Sequence, residues 1–303
     1  YIYSVRESCN SAMLSRLCRT ASFPLGLART ISYRVPDVNM KGCADVRILP
    51  VLSDNYCYVI TDRRTNTSAL VDPGCATSVK DALVDSIDQG ANIDYILSTH
   101  KHDDHVGGNN ELKATFPHVK VYGTGYESIP GRDVSVRDGD TFSLGDLHVR
   151  VIHTPCHTKG HVCFYVTSES MDMEDTVPLL FSGDTLFVGG CGRFFEGTPE
   201  DMLDNMDIFS NLDTRTLVYC GHEYTLSNLK FLMAINPTAV ENYYQRALEM
   251  RNRGIPTVPT TIGAELEYNL FMRCRLSETQ RLVQCDCAIS TMRTLREAKN
   301  SFK

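Results

Sequence analysis

A chain of 303 residues with 42% hydrophobic side chains has the length for two cores and the composition of an ordinary globular protein. Its formal charge of −7 excludes the basic footprint of a nucleic-acid binder, and no apolar run reaches the roughly 18 to 20 residues of a membrane span, so neither nucleic acid nor membrane is expected as a partner. Twelve cysteines without one C-x-x-C pair are too sparse for a disulfide scaffold and read as free thiols.

Residues 1–39 stand apart. Arg6, Arg16, Arg19, Arg29 and Arg34 face only Glu7 and Asp37, and Met13, Leu14 and Leu17 share a short amphipathic stretch with Arg16 and Arg19. This is the composition of a mitochondrial targeting segment, so a matrix location is expected, with Met40 as a start for a cytosolic form.

From residue 46 short strands follow at Val46–Val51, Tyr56–Ile60 and Ala69–Val71, separated by the turn residues Ser53-Asp54-Asn55 and Asp62-Arg63-Arg64-Thr65-Asn66. Helical spacing over 77–89 places Val79, Ala82, Leu83, Ser86 and Ile87 on one face, and a strand at Tyr95–Ser98 comes next. Further strands are expected near Val119–Tyr122, Leu147–His153, Val162–Val166, Leu179–Ser182 and Thr216–Cys220, with a helix at Thr198–Asn211. After His222 the pattern turns helical: 226–235, 240–253, 261–272, 278–283 and 288–299, with no clear strand. A domain boundary is expected there.

The densest chemistry is Thr99-His100-Lys101-His102-Asp103-Asp104-His105, at the end of a predicted strand. Imidazole nitrogens and carboxylate oxygens are the donors that borderline divalent metals select, and a tight loop can converge several of them. His157, Asp184 and His222 each follow a predicted strand, where sites collect. Cys156, Cys191 and Cys220 lie near these residues and read as small buried hydrophobes.

The histidine loop, Thr154-Pro155-Cys156-His157-Thr158, Gly183-Asp184-Thr185-Leu186-Phe187, Gly190-Cys191-Gly192-Arg193-Phe194 and Cys220-Gly221-His222-Glu223-Tyr224-Thr225 together resemble the metallo-β-lactamase superfamily and, within it, glyoxalase II, the hydroxyacylglutathione hydrolases. Ser53-Asp54-Asn55-Tyr56, Asn269-Leu270-Phe271-Met272-Arg273 and Thr291-Met292-Arg293 with Arg296 and Lys299 extend the resemblance over roughly residues 44–303.

The resemblance implies an α/β fold, a four-layer αββα sandwich over residues 40–222, followed by an all-helical glutathione-binding domain over 223–303. It implies two divalent metals per chain, zinc first, with iron or manganese as alternatives. His100, His102 and His157 would hold one and Asp104, His105 and His222 the other; Asp184 would bridge them, with Asp104 and Asp184 as the catalytic carboxylates. A metal-activated hydroxide would cleave S-D-lactoylglutathione to D-lactate and glutathione, the second step of methylglyoxal detoxification, in a monomer.

Glutathione contacts would fall on Arg193, Tyr224, Arg296 and Lys299. Three positions depart from the family: Phe195 stands where a tyrosine is usual, Arg193 where a lysine is common, and Leu270 where a proline is usual. His118, His148, His153 and His161 fall outside the ligand pattern and read as scaffold or surface. Two other readings share the histidine loop: a persulfide dioxygenase with a single iron, and a catalytically silent scaffolding relative with a damaged ligand set.

Overall fold

The computed structural model describes residues 33–34, 43–87, 92–168 and 176–302. Apart from the pair 33–34, the targeting segment read at 1–39 lies outside them.

The first half of the chain builds one sheet from β1 (Tyr33–Arg34), β2 (Ala44–Val51), β3 (Asn55–Asp62) and β4 (Thr67–Val71), then α1 (Ala76–Ile87), β5 (Asn92–Ser98), α2 (Asp103–Val106), α3 (Asn109–Thr115), β6 (Lys120–Thr124) and β7 (Val134–Val136). Its seven strands lie in chain order, antiparallel up to β4 and parallel from β4 to β7. The second half supplies β8 (Thr141–Leu144), β9 (Leu147–His153), β10 (Val162–Ser168), β11 (Leu179–Gly183), the small hairpin β12 (Leu186–Phe187) and β13 (Gly190–Cys191), α4 (Pro199–Ser210) and β14 (Leu217–Cys220). A tail follows with α5 (Thr225–Ile235), α6 (Pro237–Asn252), β15 (Thr260–Thr261), α7 (Ile262–Tyr268), α8 (Ser277–Leu282) and α9 (Ala288–Ser301). The second sheet runs β15-β14-β11-β10-β9-β8.

Strand alternation sorts side chains into layers. Tyr58 and Ile60 of β3, Phe164 of β10, Phe181 of β11 and Tyr219 of β14 meet in a core between the sheets. Their neighbours Cys57 and Val59 pack outward with Val79 and Leu83 of α1 and Leu112 of α3. On the far side Cys163, Leu180 and Val218 pack with Met202, Met206 and Phe209 of α4 and with Leu229, Met292 and Leu295 of the tail. Helix, sheet, sheet and helix therefore form four layers, and the tail shares the outer core of the second sheet.

The sequence reading missed β7, β8 and the hairpin β12–β13, which are two to four residues long and too short to show a period. The tail is helical except at β15, where Leu217 pairs with Thr261 and Val218 with Thr260. The helix expected over 261–272 stops at Tyr268 because Asn269 turns out of helical geometry and donates its side-chain amide to Gly190 O at 3.2 Å and Glu265 Oε2 at 2.8 Å. Thr198 caps α4 with a reciprocal bond pair to Asp201, and Pro199 opens the helix. Among the described residues no helix is long and apolar enough to cross a membrane.

Candidate metal centre

Strand register brings the site together. In the parallel pair β4–β5, Val71 lies beside Leu97, so Asp72 and Thr99 leave their strands side by side. In β11–β14, Gly183 lies beside Cys220, so Asp184 and His222 emerge at the same edge. Gly221 permits that approach: a Cβ there would stand 2.4 Å from Asp184 Oδ1 and 2.7 Å from His105 Cε1. At Gly183 the backbone is left-handed, with φ of 47°, a conformation that side-chain-bearing residues avoid.

Two groups of donors result. His102 Nδ1 lies 3.0 Å from both His100 Nε2 and His157 Nε2. His105 Nε2 and His222 Nε2 are 3.3 Å apart, with Asp104 Oδ2 3.6 and 3.4 Å from them. Asp184 reaches both groups, its Oδ2 3.3 Å from the Nε2 of His157 and of His222 and its Oδ1 3.4 Å from His105 Nε2. All seven residues expected as metal ligands thus meet around one carboxylate.

The donor set fits divalent cations. Asp184 Oδ1 is buried without a hydrogen-bond partner, and an orphan carboxylate oxygen is costly unless a cation serves it. His100 and His157, which burial keeps neutral, each face His102 nitrogen to nitrogen, and such a pair shares at most one proton, which leaves lone pairs aimed inward. A tetrahedron with arms of about 2.0 to 2.1 Å has edges of about 3.3 to 3.4 Å, within the 3.0 to 3.6 Å range of the distances here.

A second layer, invisible as such in the sequence, sets these rings. His105 Nδ1 bonds Asp72 Oδ2 at 2.9 Å, while Asp72 also accepts the Thr99 N–H at 2.8 Å and the Thr99 hydroxyl at 2.7 Å. Asp72, His100 and His105 also lie close enough to hold an ion, but both Asp72 oxygens are already engaged behind the ring, so it orients His105. His222 Nδ1 bonds Asp54 Oδ1 at 2.8 Å, and His157 Nδ1 donates to Arg193 O at 3.1 Å. Asn55 donates to Asp104 Oδ2 at 2.9 Å. Asp54 and Asn55 read as turn residues, and only their position beside the site marks them. His161, read as scaffold or surface, is fully buried and stacks on His100 at 4.9 Å.

Burial holds His100 and His161 well below the ordinary imidazole range and lowers His157, keeping them neutral. Burial works to raise the Asp184 carboxyl, but His105, His222 and His157 outweigh it and hold it far below the usual carboxylate range. In turn, burial opposes and Asp184 with Asp54 overcomes it to push His222 up to about 10.

A cleft of about 540 Å³ runs from this cluster to the tail, lined by Arg193, Phe195, Tyr224, Arg296 and Lys299 among others. Tyr224 stacks flat on His222 at 4.7 Å, and the exposed Phe195 ring stands 5.1 Å from His157. Arg296 is 7% exposed and donates to Cys191 O at 2.8 Å. Lys299 donates to Ser227 Oγ at 2.7 Å. Burial, then Arg296 and Arg193, bring the Lys299 ammonium down to about 8. Among the described residues none of these three cations has a carboxylate in ion-pair range, so the cleft ends in unneutralised positive charge in an otherwise acidic chain. Ser227 and Asn300, which also line it, carried no signal in the sequence.

Two packed sheets with a histidine–aspartate cluster at their common edge define a metallo-β-lactamase-type chain. Residues 51–222 match the family model of the metallo-beta-lactamase superfamily and residues 223–302 that of the hydroxyacylglutathione hydrolase C-terminus. The cytoplasmic hydroxyacylglutathione hydrolase of Arabidopsis thaliana is 40% identical over 84% of this chain and 98% of its own. The hydroxyacylglutathione hydrolase of Synechococcus sp. strain JA-3-3Ab is 42% identical over the same shares. Among solved structures, the fold is shared with ETHE1 from Myxococcus xanthus, at a TM-score of 0.57 and 22% identity over 88% of this chain and 91% of that one. It is shared also with a metallo-beta-lactamase from Staphylococcus aureus, at 0.55 and 20% over 80% and 68%. The chain belongs to the hydroxyacylglutathione hydrolase family of the metallo-β-lactamase superfamily.

Proposed function

We propose that this chain hydrolyses S-2-hydroxyacylglutathione thioesters, S-D-lactoylglutathione above all, to the hydroxy acid and glutathione. The observation that carries the proposal is the convergence of seven donor side chains, five of them lining a cleft whose far end holds three cations without carboxylate partners among the described residues. Residues 40–222 would form the catalytic unit and 223–303 the unit that reads glutathione.

His100, His102 and His157 would hold one divalent ion, Asp104, His105 and His222 a second, and Asp184 would serve both. Zinc suits this nitrogen and oxygen set, with iron or manganese as alternatives. When bound, such ions would lower the pKa of a coordinated water from about 15.7 towards 7 and would polarise a carbonyl oxygen. The chain's own residues do the rest. Asp72 and Asp54 keep the Nδ1–H of His105 and His222 pointed away from the cleft, so each Nε2 lone pair faces inward. Phe195 and Tyr224 flank the place where the acyl group would lie. Arg296 and Lys299, one turn apart on α9, together meet one carboxylate of the peptide. The leaving thiolate needs no acid, since thiols ionise near pH ~8.5.

A monomer and a mitochondrial matrix location, with a cytosolic form from Met40, complete the proposal; the arginine-rich, acid-poor composition of residues 1–39 supports the latter. The test of the substrate reading is Lys299→Ala. It should raise KM for S-D-lactoylglutathione about tenfold with little change in kcat, and leave a short thioester without the peptide unaffected. Equal losses on both substrates would overturn the assignment of the tail to glutathione.

A further inference from the structure

A second cavity of about 410 Å³ adjoins the cleft, and Arg193, Phe195, Arg296 and Asn300 wall both. Its own wall adds Arg293 and Glu297 from α9. These two exposed residues stand four apart and so on one face of the helix, where opposite charges ordinarily pair. Here they do not: among the described residues neither side chain is in an ion pair, with the other or with any third group. A cation and an anion held side by side, unpaired, on the rim of a cavity are complementary to an α-amino-acid zwitterion.

Glutathione carries that zwitterion at its γ-glutamyl end and a second carboxylate on its glycine. Ten bonds separate the two carboxylate carbons, about 10 to 12 Å when extended. From Arg293 to Lys299 the helix rises about 9 Å, before the reach of the two side chains. One peptide can therefore span α9 from Arg293, near its middle, to Lys299, near its C-terminus, with its sulfur between them.

We propose that Arg293 and Glu297 form a second recognition subsite for the α-amino-acid group of the γ-glutamyl residue, its carboxylate on Arg293 and its ammonium on Glu297. This rests on the glutathione reading above. It makes α9 a ruler for the whole tripeptide, with the glycine carboxylate at Arg296 and Lys299. A thioester of cysteinylglycine alone, which has the glycine carboxylate without the γ-glutamyl group, would be discriminated against.

The test is binding of S-butylglutathione, a thioether that is not hydrolysed, by calorimetry on the full chain. Its comparator is the analogue with 4-aminobutanoyl in place of γ-glutamyl, which lacks only the α-carboxylate. The unmodified chain should prefer S-butylglutathione about tenfold. Arg293→Ala should cut that preference to about twofold or less by weakening S-butylglutathione alone, and Arg293→Lys should retain part of it. Glu297→Gln should remove the preference for S-butylglutathione over its N-acetyl derivative. No preference in the unmodified chain, or an undiminished one in both Arg293→Ala and Glu297→Gln, would overturn the subsite. Hydrolysis of S-D-lactoylglutathione, measured alongside, tests the parent reading separately. Turnover without thioether discrimination sinks the subsite alone; discrimination without turnover sinks the hydrolase reading alone.

Discussion

His161 Nε2 accepts the backbone N–H of Asp184 at 3.0 Å. The carboxylate that reaches both histidine groups is thus fixed from behind by a histidine outside the donor set. Thr154 and Thr185 complete the arrangement, their hydroxyls 2.9 and 3.1 Å from His161 Nδ1. His161→Phe keeps the stacking on His100 but leaves the buried Asp184 N–H unmatched, at an expected cost of about 1 to 3 kcal/mol. Urea unfolding of the metal-free chain should show that loss, and chelator competition should show weaker metal binding. Unchanged values in both would mean that Asp184 is positioned by other contacts.

Asp184→Asn removes the negative charge from a group that lies within 3.4 Å of three imidazole nitrogens. Fewer than two metals per chain and near-complete loss of thioester hydrolysis are expected, read by elemental analysis and thiol release. Two tightly held metals with normal rates would remove Asp184 from the bridging position.

Asp72 and Asp54 do the same work with different burial, their side chains being 4% and 40% exposed. Replacing a carboxylate behind a ligating imidazole weakens metal affinity by about 10- to 100-fold. Asp72→Asn should lie in that range, and Asp54→Asn below its lower end because water can substitute at an exposed position. Chelator competition on the two variants measures the order, and an inverted order would contradict the role given to burial.

Donor clustering was legible because three histidines and two aspartates crowd six positions, and because the remaining three donors each follow a strand long enough to show alternation. What was not legible has a common cause. Asp54 sits in a turn, Asn55 opens β3 and Asp72 just follows β4, places where Asp and Asn are favoured for backbone reasons alone, so nothing local separates a ring-orienting carboxylate from an ordinary strand end. Arg293 enters the sequence reading only within Thr291-Met292-Arg293, and its place in one cavity wall with Arg193 is visible only in the fold. The two-residue strand at Thr260–Thr261 exists only because β14 offers it an edge.

Lys299 gives a pH signature. Its pKa falls from 10.5 to about 8, so the folded chain binds fewer protons than the unfolded one between those values. On that account alone stability rises with pH across the window, whereas anion binding is lost as the ammonium discharges. KM for S-D-lactoylglutathione should therefore rise as pH passes 8, after subtraction of spontaneous hydrolysis. In Lys299→Arg, which stays charged, the rise should vanish. The same rise in both would assign it to another group.

The central claim is that the chain uses its metal centre to cleave a thioester with water. Thiol release from S-D-lactoylglutathione by the purified chain, with metal counted per chain and the reaction run under nitrogen and in air, tests it most directly. Two metals per chain and equal rates in both atmospheres are expected. Oxygen consumption with glutathione persulfide, one iron per chain and no thioester cleavage would contradict it.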